Sequence, residues 1–460
     1  MTPEAYRPVS YLEWNAARRP HAPAVWDARD ISFEELLAHV RSMQRWLAAH
    51  GVAAGDVVGV RLPNVWQYVA LELAIPDLGA VILPLPLTLG EHEMRWVTER
   101  TKPRLVIGQQ PSPAEGTQPG RAEADPDRIV EIAMSSGTTG MPKLASLSAR
   151  LKQVTFEGFT SRLEISENDR VLPMTPLTQG IGGMCLYCLR VGASLVMLRE
   201  PHWTAEHCLA TARDARATVM VGVPTNVIRM LNHEVSVPTA RAVAVAGAPL
   251  APEIAERWER STGMAISSFY GSMDAGQLAV GSPSDPREKR WTTVGRPHDA
   301  AEWKILDSGE ICMRGDLVQE RYWGERSGPY SDDGWAHMGD LGFVDGDGYL
   351  HVVGRVKDII IRGGTNINPY EVESILRSHP GVVDACVVGR THPDLGEVPV
   401  AFVVTQSELA KEEVDRFLEQ QGLARYKWPV AVHVVGELPL SGPGKVNRKS
   451  LREMADARAV

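Results

Sequence analysis

The sequence predicts a layered α/β protein with largely parallel sheets, followed by a smaller α+β unit. Three observations carry that expectation. Short β-branched runs, "VVGVRL" (57–62), "RLVIG" (104–108), "SLVMLR" (194–199) and "ATVMVGV" (217–223), alternate with stretches of helical spacing. Such alternation builds sheets covered by helices. The run "SFEELLAHVRSMQRWLAAHG" at 32–51 has the period of a helix and stops at a glycine. Beyond about residue 355 the texture changes: "NPYEVESILRSHP", "VVDACVVG", "VPVAFVV", "KEEVDRFLEQQGL" and "AVHVVGEL" read as helix, strand, strand, helix, strand.

At 460 residues the chain exceeds what one compact core usually holds, so two units are expected. The boundary falls at 355/356, where "GRVKDIIIRGGTNINP" links them: 1–355 the large unit, 356–460 the small one. No repeat or low-complexity tract is present, and "QQPSPAEGTQPGRAEADPDR" at 109–128 reads as a solvated loop. The start, "MTPEAYRPVS", has no basic or apolar leader pattern. Residues 171–189 carry no charge, but two prolines and three glycines make them a poor membrane span and a better buried strand running into a buried segment. A cytoplasmic protein without a membrane span is expected, monomeric or homodimeric. The net charge of −9 argues against nucleic acid or an anionic membrane as the main partner. The five cysteines are scattered, and the pair Cys185 and Cys188 lacks the second pair or histidines of a zinc site. They read as buried core thiols in a reducing compartment, a redox pair being the alternative.

The stretch "AMSSGTTGMPKLAS" at 133–146 gathers small hydroxyls and glycines beside a lysine. Gly137 and Gly140 free the backbone to approach a ligand, Ser135, Ser136, Thr138 and Thr139 offer hydroxyls and N–H groups to phosphate oxygens, and Lys143 supplies charge. The Walker spacing is not met. Taken alone, the stretch also fits a plain surface turn.

Further motifs follow in order: "GAPL" (247–250), "YGSMD" (270–274), "VGRP" (294–297), "GEICMRG" (309–315), "HMGDLGFVDGDGYLHVVGRVKD" (337–358), "GGTNINPYEVE" (363–373) and "ELPLSGPGKVNRKSLR" (437–452). With "SSGTTGMPK" and "GVAAGDVVGVRLPN" (51–64), they make the chain resemble the adenylate-forming superfamily along nearly its whole length: acyl- and aryl-CoA synthetases, adenylation domains and luciferases. The resemblance implies a large N-terminal domain with mixed sheets and a small, mobile C-terminal domain. It implies ATP, Mg²⁺ and CoA as the small molecules handled, and a small carboxylic acid as substrate.

Position by position, the resemblance implies that Ser136, Thr138, Thr139 and Lys143 hold the β- and γ-phosphates. Ala248 and Pro249 would line the adenine, with Tyr270 stacked on its face and Gly271 on the same nucleotide side. Asp340 would accept the ribose hydroxyls, a carboxylate having two oxygens for two donors, and Arg355 would contact ribose or phosphate. Asp274 stands at the magnesium position. Lys445 would bridge the substrate carboxylate and the ribose during adenylation. The small domain would turn at Lys357, withdrawing Lys445 and bringing Gly363 and Gly364 to form a channel for pantetheine. Gln179, Gly180, Gly183, Met184, Gly247 and Met273 would line the acid pocket, the glycines at 180, 182 and 183 leaving space.

Departures from the pattern matter as much. Leu144 and Ala149 stand where glycine and histidine are common, and Gln179 where a histidine or aromatic often gates the pocket. "YGSMD" replaces YGxTE: Met273 cannot give threonine's hydrogen bond, and Asp274 is one methylene shorter than glutamate. No aspartate in "PLTQGIGG" offers to bind an α-amine. The leading expectation is an acid:CoA ligase for an aryl or cyclic carboxylate. The alternatives are a different acceptor or anion, either carrier-protein loading or nitrite activation for diazotisation, and a degenerate nucleotide-binding protein.

Overall fold

The computed structural model describes residues 7–112, 114–135, 141–199, 203–272, 276–319, 321–325, 328–405, 409–440 and 446–458. Among these, four sheets organise the chain.

In the nine-stranded sheet, Arg170–Pro173, Val219–Gly222, Ala242–Val245 and Ala265–Gly271 lie side by side in chain order and run parallel. Antiparallel Gln277–Val280 and Arg296–Pro297 extend one edge. Ser194–Val196, Pro23–Trp26 and Asp30–Ser32 extend the other. A second sheet sets Leu105–Ile107, Val57–Val60, Val81–Pro84 and Ile129–Ser135 in parallel and closes with antiparallel Lys143–Ser148. The strands Val57–Val60, Val81–Pro84, Val219–Gly222 and Ala242–Val245 are buried along their whole length. That is why they read as continuous apolar runs instead of alternating ones.

The helix Phe33–Ala49 shows how sequence becomes structure. Ser32 Oγ accepts from Glu35 N at 3.1 Å while Glu35 Oε2 accepts from Ser32 N at 2.7 Å, a reciprocal cap that starts the helix. Leu36, Val40, Met43 and Leu47 then form one fully buried stripe. Gly51, at φ +73°, follows the end in a conformation glycine adopts freely.

Alternation of strands and helices does not foretell the third sheet. Ala301–Ile305, Glu310–Gly315, Ala336–Val344 and Leu350–Arg355 form an antiparallel meander. The fourth sheet belongs to the C-terminal part, in the order Thr365–Ile367, Ile360–Arg362, Gly396–Thr405, Val382–His392, with Ala431–Val434 parallel to Gly396–Thr405. One face buries Val372, Leu376, Val414 and Leu418 from the helices Pro369–Arg377 and Lys411–Gln420. The other buries Leu451 and Ala455 from Arg448–Ala457. The chain is thus mixed α/β with a large N-terminal and a smaller C-terminal part. Among the described residues no helix is long and apolar enough to cross a membrane. All five cysteines are buried and free, and burial raises the thiol pKa of Cys208 to about 12.

Candidate active site

Strands Ala242–Val245 and Ala265–Gly271 pair in parallel, with Val245 opposite Ser268. Gly247, Ala248 and Pro249 in the loop after the first, and Tyr270 and Gly271 at the end of the second, therefore leave the same edge of the sheet. In open α/β sheets that edge, at the carboxyl ends of the strands, is where ligands bind. Gly247 has φ +87°, and a Cβ there would sit 3.2 Å from Ile181 Cδ1 and 3.7 Å from Val223 Cγ1. The loop consequently presses onto the helix Gly180–Met184, joining the expected adenine side to the expected acid side.

Three strands from two sheets converge on Asp340. This carboxylate is 5% exposed and sits directly opposite Arg355 in the meander. Tyr270 Oη donates to Asp340 Oδ2 at 2.6 Å, and Arg355 Nε forms an ion pair with Oδ1 at 2.8 Å. A carboxylate oxygen has two lone pairs, so Asp340 can accept from a diol as well as from its protein partners. Burial, reinforced by the Asp340 charge, pushes the Tyr270 phenol well above its ordinary pKa, and it donates as a neutral hydroxyl. Burial works against the Arg355 charge, but Asp340, with Tyr370 and Asp358, outweighs it and the guanidinium pKa is raised. This donor set fits the ribose and base of a nucleotide.

On the phosphate side, Ser135 and Lys143 are antiparallel partners at the end of a hairpin. Ser136, Gly137, Thr138, Thr139 and Gly140 lie outside the described residues. Lys143 Nζ donates to Tyr322 Oη at 3.2 Å and stands 4.9 Å from the ring centroid. Tyr322 is held there because the segment beside it clips onto the hairpin: Ala145 bridges Tyr322, Trp323 N donates to Leu144 O at 2.8 Å, and Ser146 N donates to Gln319 Oε1 at 2.8 Å. Sequence reasoning missed Tyr322; the aromatic pair in "QERYWGE" gives no sign of the lysine 179 positions away. Below the hairpin, Lys152 is buried and pairs with Glu131 on the strand Ile129–Ser135 and, at 3.0 Å, with Glu72 on the helix Trp66–Asp77. Burial lifts the Glu72 carboxyl to about 7 against the opposing pull of Lys152, with Glu131 adding to the rise.

On the acid side, Gln179 precedes the helix Gly180–Met184, and its Oε1 is buried with no hydrogen-bond partner among the described residues. The glycines there need a different reading from the one the sequence suggests. A Cβ at Gly182 would fall 2.2 Å from Pro176 O, and one at Gly183 3.1 Å from Leu177 O. Their missing side chains admit backbone carbonyls of this chain, not substrate. Gly180 is exposed and Met184 half-buried. Met273 and Asp274 lie outside the described residues, and no cluster of three metal-ligating side chains occurs among the described ones.

The link between the two parts runs through a short turn, Val356–Asp358, with Lys357 exposed. Gly363 and Gly364 have φ +55° and +81° and connect strands whose Arg362 and Thr365 are paired. Two consecutive positive φ values define the tight hairpin turn that favours glycine. The turn by itself accounts for both glycines. A Cβ at Gly364 would meet nothing within 4 Å among the described residues. Lys445 lies outside the described residues.

With this geometry in place, the comparisons with known proteins are decisive about family. The chain matches the AMP-binding enzyme family over residues 12–121 and 108–323 and the AMP-binding enzyme C-terminal domain over 371–445. It belongs to that family, and with it to the adenylate-forming superfamily of AMP-forming acid–thiol ligases. A 3-[(3aS,4S,7aS)-7a-methyl-1,5-dioxo-octahydro-1H-inden-4-yl]propanoyl:CoA ligase of Mycobacterium tuberculosis is 30% identical over 94% of this chain and 96% of its own. ATP-bound MatB from Rhodopseudomonas palustris superposes with a TM-score of 0.88 at 26% identity, covering 98% and 99% of the two chains. The amide bond synthetase McbA from Marinactinospora thermotolerans superposes at 0.85 and 26% identity, over 97% and 99%.

Proposed function

We propose that the protein adenylates a small carboxylic acid with ATP and transfers the acyl group to the thiol of CoA, releasing pyrophosphate and then AMP. The observation that carries this reading is the convergence of Tyr270 and Arg355 on the buried carboxylate of Asp340, with Tyr270 leaving the same sheet edge as the loop of Gly247, Ala248 and Pro249. A nucleotide seated there places its ribose on Asp340, its base between Tyr270 and the 247–249 loop, and its phosphates toward Lys143 and the hydroxyls of 135–139. The acid lies against Gln179, Met184 and Met273. In the first half-reaction a carboxylate oxygen attacks the α-phosphorus and pyrophosphate leaves. Lys445 stabilises the negative charge that builds on the α-phosphate oxygens. In the second, the thiol attacks the acyl carbon and AMP leaves. One site serving two transition states is why a boundary at 355/356, with a hinge at Lys357, is part of the proposal. Asp274 is the residue that would hold Mg²⁺, which supplies charge neutralisation to the departing pyrophosphate. An aryl or cyclic acid suits the soft methionine walls, and the bicyclic propanoate named for the mycobacterial relative is of that class.

A second reading keeps adenylation and changes the acceptor to an amine or a carrier protein, or the activated anion to nitrite. The hairpin turn favours it, because Gly363 and Gly364 are accounted for without a thiol channel. The deciding measurement is AMP release by the wild type with benzoate, cinnamate, cyclohexanecarboxylate or octanoate, with and without CoA, beside nitrite plus an aryl amine. CoA-stimulated AMP release with an organic acid is expected. Release that needs nitrite and ignores CoA overturns the leading reading.

A further inference from the structure

Arg448 begins the helix Arg448–Ala457, three positions after Lys445, and its guanidinium is spent entirely on the C-terminal part's own frame. Nη2 lies 2.6 Å from Glu373 Oε1, Nη1 donates to Val387 O at 2.9 Å, and Nε lies 3.4 Å from Asp358 Oδ2. The guanidinium also covers the ring of Tyr370 at 4.4 Å, and Tyr370 Oη donates to the same Asp358 oxygen at 3.2 Å. Glu373 is fully buried and accepts from Val387 N at 2.8 Å, so the arginine's anchor is itself fixed.

Two chain positions give this cluster its meaning. Asp358 is the residue after Lys357, at the turn between the two parts. Arg448 stands just after 441–445, the segment that ends in Lys445, and the residues flanking that segment, Leu440 and Val446, are bridge partners. Asn447 fixes the same corner, its N–H donating to Pro439 O at 2.7 Å and its side chain accepting from Ser450 N at 3.1 Å. One arginine thus joins the neighbour of the hinge to the neighbour of the lysine.

We propose that Arg448 is a positioning residue for adenylation: it holds the base of the lysine segment to Asp358 and Glu373, so that a turn at Lys357 delivers Lys445 to one fixed place. This rests on the roles of Lys445 and Lys357 proposed above. Misplacing a catalytic group by about 1 Å can cost on the order of 10²-fold.

The test is a double-mutant cycle read by ATP–pyrophosphate exchange, with the acid of the panel that exchanges fastest, and by thioester formation from the matching synthetic adenylate. Arg448→Met should slow exchange by roughly 10- to 100-fold with the KM for ATP little changed, and thioester formation should stay within about threefold of wild type. Lys445→Ala should lose about 10²-fold or more of exchange. The double variant should be no slower than Lys445→Ala, since a residue acting through the lysine has nothing left to position. Arg448→Lys should recover part of the loss, and if Arg448→Met does not fold it takes that variant's place in the cycle, lacking the fork that spans two acceptors. Additive losses, equal losses in both half-reactions, or wild-type exchange by a folded Arg448→Met would overturn the proposal. If Lys445→Ala alone exchanges normally, the lysine assignment falls and this proposal with it; if no acid exchanges at all, the proposed function falls first.

Discussion

Asp340 illustrates how much one side chain's surroundings decide. An aspartate removed from water is costly unless its charge is compensated, and here a phenol donates to one oxygen and a guanidinium forms an ion pair at the other, with lone pairs left to accept from a ligand. Tyr270→Phe removes one donor and keeps the ring, so the stacking proposed for the base is retained while the carboxylate loses one of its two partners. The expected result is a rise of several-fold in the KM for ATP, with folding unchanged. Asp340→Asn replaces an acceptor by an amide and should raise that KM by roughly 10-fold or more, the scale of losing a hydrogen bond to a charged group. Steady-state kinetics in ATP separate the two, and an unchanged KM in both variants would remove Asp340 from the ribose site. Glu72 makes a different residue-level prediction. Its carboxyl is raised from 4.5 to about 7 by burial, so the folded protein binds a proton that the unfolded chain has already lost between those values. That contribution to stability is full below about 4.5 and fades as pH rises through about 7. Thermal unfolding of Glu72→Gln should lack this decline, so the wild type loses ground against the variant as pH rises from about 5 to about 7.5. A pH-independent difference between them would refute it.

At the scale of elements, the turn Val356–Asp358 carries Lys357, the hinge proposed for the change between half-reactions. Lys357 is exposed, while Asn368 Nδ2 reaches across to Val353 O at 2.6 Å and packs on Gly354, so the turn is braced from the C-terminal side. Lys357→Pro fixes φ near −65° and withdraws one conformation from the hinge. Pyrophosphate exchange should persist while thioester formation falls by at least about 10-fold, and normal turnover of the variant would show that no rotation occurs at this turn. Elements were legible in the sequence to the degree that burial is periodic. The helix Phe33–Ala49 and the strands of the parallel sheets announce themselves, because one-sided or complete burial writes a pattern. The meander from Ala301 to Arg355 was not foreseen, since its short strands mix buried and half-exposed positions and its turns are built on Gly309 and Gly348. For the site, motif residues could be named in order, but not what each touches. Gly182 illustrates the gap: its missing side chain admits the carbonyl of Pro176, a neighbour in space that spacing alone does not reveal. Tyr322 and Arg448 escaped notice for the same reason, since their roles consist of contacts made across 179 positions in one case and 75 to 90 in the other.

At the scale of the whole molecule, the question is whether the face beside the Gly363–Gly364 turn receives a thiol. The turn needs two residues of positive φ, and no described residue lies within 4 Å of a Cβ built at Gly364, so backbone demand and the proposed channel demand fall on the same residue. A pair of substitutions separates them. Asparagine tolerates the left-handed region, so Gly364→Asn keeps the turn and adds little bulk. Gly364→Trp adds a wall at the same place, with the added strain of a bulky residue at φ +81°. If pantetheine passes here, both variants should exchange pyrophosphate at close to the wild-type rate, since Asp340, the proposed ribose partner, lies on another sheet. CoA-dependent AMP release should survive in Gly364→Asn and fall by about 10²-fold in Gly364→Trp, as expected when a reactant is displaced from its attack position. Equal loss in the two would mean that the turn, not the channel, is what glycine protects. Equal retention would mean that the acceptor enters elsewhere, which is the outcome expected if the acyl adenylate is passed to something other than CoA.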